Sequence, residues 1–185
     1  MSADGNLIAY SGDCVLTIKG CGDTIDLYNV STGVTTSLFP ANARNGDELG
    51  KPVLSGDGTH MALEYASATN TSTYYLVIKA LDGSAVTNSD AVDEFDDPFT
   101  GDTPVELNEN GSTLVYMIGD HYTVDTHFEV YKNGSTYTVP RLSDKPAVSA
   151  DVTPDGSDIF YTLALPSSDD PLASDYPGVY EWQIP

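Results

Sequence analysis

The stretch Thr153-Pro154-Asp155-Gly156-Ser157-Asp158-Ile159-Phe160-Tyr161-Thr162 decides how the rest of the chain is read. It opens as a tight turn ending in glycine and continues as a short apolar and aromatic run. Asp-Gly and Asn-Gly favour hairpins because the central residues of the turn need positive φ, which Gly and Asn adopt at little cost. The same pattern stands three times upstream: Ser2-Ala3-Asp4-Gly5 before Leu7-Ile8-Ala9-Tyr10, Ser55-Gly56-Asp57-Gly58 before Met61-Ala62-Leu63-Glu64-Tyr65, and Asn108-Glu109-Asn110-Gly111 before Leu114-Val115-Tyr116-Met117. The turn glycines Gly5, Gly58, Gly111 and Gly156 follow at intervals of 53, 53 and 45 residues. A period of this size marks a repeat architecture, in which each unit buries its face against the next.

A second turn recurs downstream of the first. Ile25-Asp26-Leu27-Tyr28-Asn29-Val30 runs to Gly33, Tyr75-Leu76-Val77-Ile78-Lys79-Ala80 to Gly83, and Phe128-Glu129-Val130-Tyr131-Lys132 to Gly134. Pro52-Val53-Leu54, Pro104-Val105-Glu106-Leu107 and Pro146-Ala147-Val148 precede the first turns and supply an innermost strand, with proline at the strand start where no ladder donor is lost. Alternation dominates and no segment sustains a helical period. Each repeat therefore reads as strand, turn, strand, loop, strand, turn, strand. Four-stranded antiparallel sheets repeated around an axis make a β-propeller, which buries both faces of every blade; a two-sheet sandwich would not need the same two turns at near-constant spacing. The expectation is an all-β propeller of four repeats, either four-bladed or an incomplete larger ring. It forms one domain over 1–185, with repeats at about 1–50, 51–103, 104–145 and 146–185. Tyr10, Tyr65, Tyr116 and Tyr161 recur along the strands after the turns and are read as packing between blades rather than as a sugar-stacking surface.

The Ser/Thr-Pro-Asp-Gly turn followed by an apolar strand ending in an aromatic, as in Thr153 to Tyr161, resembles the repeat of TolB-type β-propellers. The resemblance spans nearly the whole chain, with Ala3, Gly56 and Glu109 standing where the fourth repeat has Pro154. It implies a binding platform or a domain attached to a hydrolase, in a family whose rings usually hold six or seven blades.

Composition narrows the partners. Hydrophobic residues at 40% and charged ones at 19% describe a globular chain. The balance of 28 Asp+Glu against 7 Lys+Arg, net −21, repels phosphate backbones and excludes nucleic acid as a partner. It favours cations or basic partners, or simply a solvated acidic surface. No run approaches the apolar length of a membrane span. Few lysines among many Ser, Thr, Asn, Gly and Tyr point to an extracellular or cell-surface location. Cys14 and Cys21 flank the run Val15-Leu16-Thr17-Ile18; a local disulfide and two separate buried thiols both fit that spacing.

Chemistry is sparse. The histidines His60, His121 and His127 stand beside no Gly-x-Ser-x-Gly elbow, so no hydrolytic triad is expected, and the chain is not expected to be an enzyme by itself. Asp93, Glu94, Asp96 and Asp97, in the connection between the second and third repeats with Asp90 and Asp102 close by, could supply carboxylate oxygens to calcium, the one cofactor the sequence offers. They lack the ordered alternation of an EF-hand loop, and a solvated acidic loop is the favoured reading. Asp120, His121, Asp125 and His127 match no standard zinc spacing. The first repeat opens at its turn without an inner strand, and the fourth ends after Val179-Tyr180-Glu181-Trp182-Gln183-Ile184-Pro185 without an outer one. Unpaired edges invite another chain, and the expected edge carries Tyr180 and Trp182. The resulting expectation is a structural or interaction protein that associates with its own copies, even into fibres. A propeller platform for another protein, or the regulatory domain of a larger secreted hydrolase, is the alternative.

Overall fold

The structure is a computed structural model that describes residues 1–17, 20–38, 48–49, 51–66, 74–82, 85–95, 103–118, 127–140, 147–163 and 178–185. Every regular element among these residues is a strand, and every pairing is antiparallel. The first sheet holds β1 (Leu7–Thr17), β2 (Gly20–Asn29) and β3 (Val34–Ser37). The second begins with two short pieces, β4 (Glu48–Leu49) and β5 (Val53–Leu54), which share one side of β6 (His60–Ala66). It continues through β7 (Tyr74–Asp82) to β8 (Ala85–Phe95). The third is the full four-stranded unit: β9 (Thr103–Leu107), β10 (Thr113–Ile118), β11 (His127–Lys132) and β12 (Ser135–Thr138). The fourth comprises β13 (Ala147–Val152), β14 (Asp158–Leu163) and β15 (Val179–Gln183). The chain is thus a propeller of four blades, the first lacking an inner strand and the last an outer one among the described residues.

The turn that defines the repeat is built the same way in each blade. Its first residue, Ser2, Ser55, Asn108 or Thr153, closes a pair of hydrogen bonds with the residue five positions on. The Thr113 amide donates to Asn108 Oδ1 at 2.9 Å, while the Asn108 amide donates to the Thr113 carbonyl at 2.9 Å. Asp4, Asp57, Asn110 and Asp155 each accept from the amide two residues on, at 2.9 to 3.1 Å. The fourth position is glycine at φ of 70° to 75°, where a side chain would be strained. These short polar side chains thus satisfy the turn backbone locally, so the turn forms wherever the four-residue pattern occurs.

Successive turns also hold one another. The Ala3 amide donates to the Gly56 carbonyl at 2.8 Å, the Asp57 amide to the Glu109 carbonyl at 2.8 Å, and the Glu109 amide to the Pro154 carbonyl at 3.2 Å. The turns therefore form a staircase along one end of the blades. Each turn glycine sits against the residue just past the previous turn: Gly58 against Leu7, Gly111 against His60, and Gly156 against Thr113. Gly5 has nothing within 4 Å of where its Cβ would be.

Packing follows the strand alternation. Alternate side chains of each blade point to the preceding blade, its leading face, or to the following one, its trailing face. Ile25, Leu27, Met61 and Leu63 join the first two blades. Ala62, Ile78, Leu114 and Tyr116 join the second and third. Val115, Phe128, Ile159 and Tyr161 join the third and fourth. Among the described residues no core cluster joins the fourth blade to the first. Among the described residues the four blades are thus joined in series, first to second, second to third and third to fourth.

Tyr116 and Tyr161 are buried between blades, as expected. Tyr10, at the same position in the first blade, is 40% exposed, with no other described blade packed over it. In the second blade that position is held by Leu63, and Tyr65 lies two residues further on.

Candidate interaction surfaces

Two sheet edges and two blade faces lie open at the ends of the series of described blades. On the first blade β1 pairs only with β2 among the described residues, and on the fourth β15 pairs only with β14. Each leaves backbone donors and acceptors along one side. Tyr180 and Trp182 belong to β15, but their side chains turn inward, half-buried against the core between the third and fourth blades. Tyr180 lies 5.6 Å from the buried Tyr161, ring centroid to centroid. What β15 offers outward is its backbone, together with Val179 and Glu181, both exposed.

The end faces differ in kind. Ile8, Tyr10, Asp26 and Tyr28 form the leading face of the first blade, with Ile8 opposite Tyr28 and Tyr10 opposite Asp26. In the third blade the same positions are Leu114, Tyr116, Glu129 and Tyr131, with the same pairings. There the face is covered by the second blade, Leu114 and Tyr116 are fully buried, and the Tyr116 hydroxyl donates to Glu129 Oε2 at 2.8 Å. The trailing face of the fourth blade carries Asp158, Phe160, Val179 and Glu181. Glu181 occupies the position that Leu27, Ile78 and Val130 fill in the first three blades, where all three are buried. Among the described residues the turn-to-turn bonds run as far as Pro154, whose carbonyl accepts the last of them.

Acidic groups at the turns are held as anions. The Ser2 hydroxyl and then the Asn6 amide pull the Asp4 carboxyl below its usual range. The Thr153 hydroxyl and the Ser157 amide do the same to Asp155. At Asp57 burial pushes upward, but the Thr59 amide and hydroxyl together with the Ser55 hydroxyl outweigh it, and the carboxyl is lowered. Glu106, half-buried on the inner strand of the third blade, is displaced the other way, by burial first and then by the neighbouring Asp151; the amino terminus and Lys51 offset this in part.

Between the second and third blades lies a pocket of about 290 Å³ lined by His60, Ile78, Asn110, Tyr131 and Asn133. The Thr59 hydroxyl donates to Asp57 Oδ1 at 2.7 Å and lies 2.7 Å from His60 Nδ1, which therefore carries its proton and donates to it. Ser112 also lines the pocket, and no carboxylate is among the described lining residues.

The remaining sequence candidates fall as follows. Asp90, Asp93 and Glu94 are not in a connecting loop: β8 carries them as the outer strand of the second sheet, with Asp93 opposite Leu76 and Glu94 opposite Tyr75. Asp96, Asp97 and Asp102 lie outside the described residues, as do Asp120, His121 and Asp125. His127 opens β11, 3.7 Å from Glu129. Cys21 pairs with Leu16 in the hairpin of β1 and β2, and Cys14 falls in the irregular register between Gly12 and Val15. Among the described residues no group of three His, Cys, Asp or Glu is placed to hold a metal ion. No helix there is long and apolar enough to cross a membrane.

Sequence reasoning found the two short sheets but not the contrast between the end faces. The signal was present in Glu181, a charge where the matching strands of the other blades are apolar.

No family model matches the sequence, and no curated protein matches it. Solved structures do match its shape. TolB from Acinetobacter baumannii superposes with a TM-score of 0.58 at 18% identity, over 91% of this chain and 37% of that one. The β-propeller domain of the Trilobed protease from Pyrococcus furiosus gives 0.57 at 15% identity, over 97% of this chain and 52% of that one. A putative TolB from Agrobacterium tumefaciens gives 0.50 at 18% identity, over all of this chain and 57% of that one. The fold is that of the TolB-type propellers, and the chain spans between about a third and three fifths of the length of these structures.

Proposed function

We propose that this chain is a non-catalytic interaction module, working outside the cell or at its surface, that associates with other protein chains and with its own copies first. The observation that supports this reading is the pair of sheets that hold three strands among the described residues, in which β1 pairs only with β2 and β15 only with β14. A strand added to such an edge satisfies main-chain donors and acceptors at once, a recurrent mode of protein recognition.

Molar mass measured by light scattering across a wide concentration range tests it. Association that grows with concentration is the expected result, and a folded chain that stays strictly monomeric would overturn the reading.

A second reading draws on the neighbours. The propeller domain of the Trilobed protease and an acylaminoacyl peptidase from Pyrococcus horikoshii share the shape, the latter with a TM-score of 0.51 over 29% of its length. A chain of this kind would then serve as the binding or regulatory part of a larger secreted hydrolase, with the catalytic groups on other sequence. Hydrolysis of peptide substrates by the protein joined to such a partner, and none by this chain alone, would favour it.

A further inference from the structure

The two ends of the series of described blades are not equivalent, and their chemistry says which one is better suited to being covered. The leading face of the first blade repeats, position for position, the leading face of the third: Ile8 for Leu114, Tyr10 for Tyr116, Asp26 for Glu129 and Tyr28 for Tyr131. In the third blade that set is an established interface, with Leu114 and Tyr116 fully buried and the one carboxylate satisfied from its own sheet by the Tyr116 hydroxyl. Tyr10 and Asp26 are direct cross-strand partners, so the first blade holds the same means of satisfying its acid once water is removed. The fourth blade is the opposite case. Glu181 and Asp158 stand on its trailing face, and desolvating two carboxylates with no cation beside them costs several kcal/mol per ion. Such a face is less suited than the leading face of the first blade to being covered by an acidic chain.

We propose that a second copy of this chain covers the leading face of the first blade, blade to blade across a two-fold axis. Head-to-tail assembly would set Asp26 of one copy against Asp158 and Glu181 of the next, three like charges in one contact. A head-to-head contact joins Ile8, Tyr10 and Tyr28 to their own copies and brings in only the two Asp26, each with a Tyr10 directly across the strands. Such a contact is isologous and closes on itself, so the product is a dimer and not a fibre.

The footprint sets its strength. A sheet of three strands, the longest about 36 Å, spaced about 5 Å apart, offers roughly 500 Å² a side, at the low end of specific interfaces. With a net charge of −21 on each copy the dimer is weak and is tightened by salt.

This inference rests on the self-association proposed above and names the surface that carries it. The test is sedimentation equilibrium of the full chain from about 10 to about 500 μM at low and high salt. Expected is a monomer–dimer equilibrium, several-fold tighter in high salt, with no larger species. Removing the rings in Tyr10→Ser and Tyr28→Ser should weaken it at least tenfold, Tyr10→Phe, which keeps the ring but takes the hydroxyl partner from Asp26, should weaken it several-fold, and Phe160→Ser with Val179→Ser on the other end should not alter it. Because Tyr10 is exposed, Tyr10→Ser alone carries the test if the Tyr28 variant loses its β-sheet circular dichroism signal. Association that survives the Tyr10 change but is lost with Phe160 and Val179, or that grows into open-ended polymers, overturns the two-fold contact and leaves self-association standing. A wild-type monomer at every concentration overturns both, and makes a blade from other sequence the occupant of this face.

Discussion

At the scale of single residues, the turn glycines provide a controlled comparison. Gly111 has φ of 75° and lies against His60, while Gly5 has φ of 71° with nothing nearby. Gly5→Ala should therefore cost only the backbone strain of a left-handed conformation, about 1–2 kcal/mol, whereas Gly111→Ala adds displacement of a packed ring and should cost about 1–3 kcal/mol more. Urea unfolding of the two variants at low protein concentration measures the difference. Asn108→Ala should cost about 1–3 kcal/mol by the same measurement, since it strands the buried Thr113 amide. These positions were legible in the sequence because a tight turn is a local structure whose residue preferences follow from its own backbone. Tyr65 shows the limit of such reading. It ends a strand after the turn, as the other tyrosines do, yet its position in the repeat is two residues later and Leu63 packs in the expected place. Counting from the turn glycine shows it as well, since Tyr65 stands seven residues after Gly58 and the other tyrosines five after theirs, and the register with β7 agrees.

At the scale of elements, the alternation of strands made the blades readable, including the inner strand missing from the first and the outer strand missing from the fourth. An outer strand after Gly83 was readable from the repeat, but the reach of β8 as far as Phe95 was not. Thr87-Asn88-Ser89-Asp90 has no apolar alternation, and the run ending in Glu94 reads as a loop because its composition is that of one. Its strand character comes from nine backbone pairings with β7, a relation that no local pattern announces. The position of a strand in the series of blades also decides what a substitution costs. Ile159 and Ile8 occupy matching places, but Ile159 is fully buried against the third blade while Ile8 stands on the open leading face. Ile159→Ala should destabilise by about 2–5 kcal/mol, and Ile8→Ala by about 1 kcal/mol when measured in dilute solution where copies do not meet. Chemical denaturation at a few concentrations would show the gap narrowing as association begins.

For the molecule as a whole, stability depends on two acid populations of opposite sign. Asp4, Asp57 and Asp155 have folded-state values below the unfolded 3.8, so the stability they add is complete above that value and is lost as pH falls through their lowered values. Glu106 is raised above 4.5, so the folded protein takes up its proton first and gains stability as pH falls from its raised value toward 4.5. Thermal melts across pH should therefore peak on the acid side of neutrality and decline below 3.8. Glu106→Gln should flatten the neutral side of that curve and leave the acid side as it is. Closure of the ring was readable only as one of two alternatives, because it depends on whether the fourth blade meets the first. No pattern within a repeat reports on that encounter, whereas Glu181 at one end and Tyr10 at the other mark the contrast between the end faces once their counterparts are aligned in space.

The staircase of turn-to-turn hydrogen bonds has a mechanical consequence. Each turn is tied to the next in sequence, so tension applied between Met1 and Pro185 loads these ties one after another and not all together. Under an optical trap the protein should come apart in discrete rips. Each rip should release one repeat, a gain of roughly 180 Å in contour length for a unit of about 50 residues, with the end units yielding first.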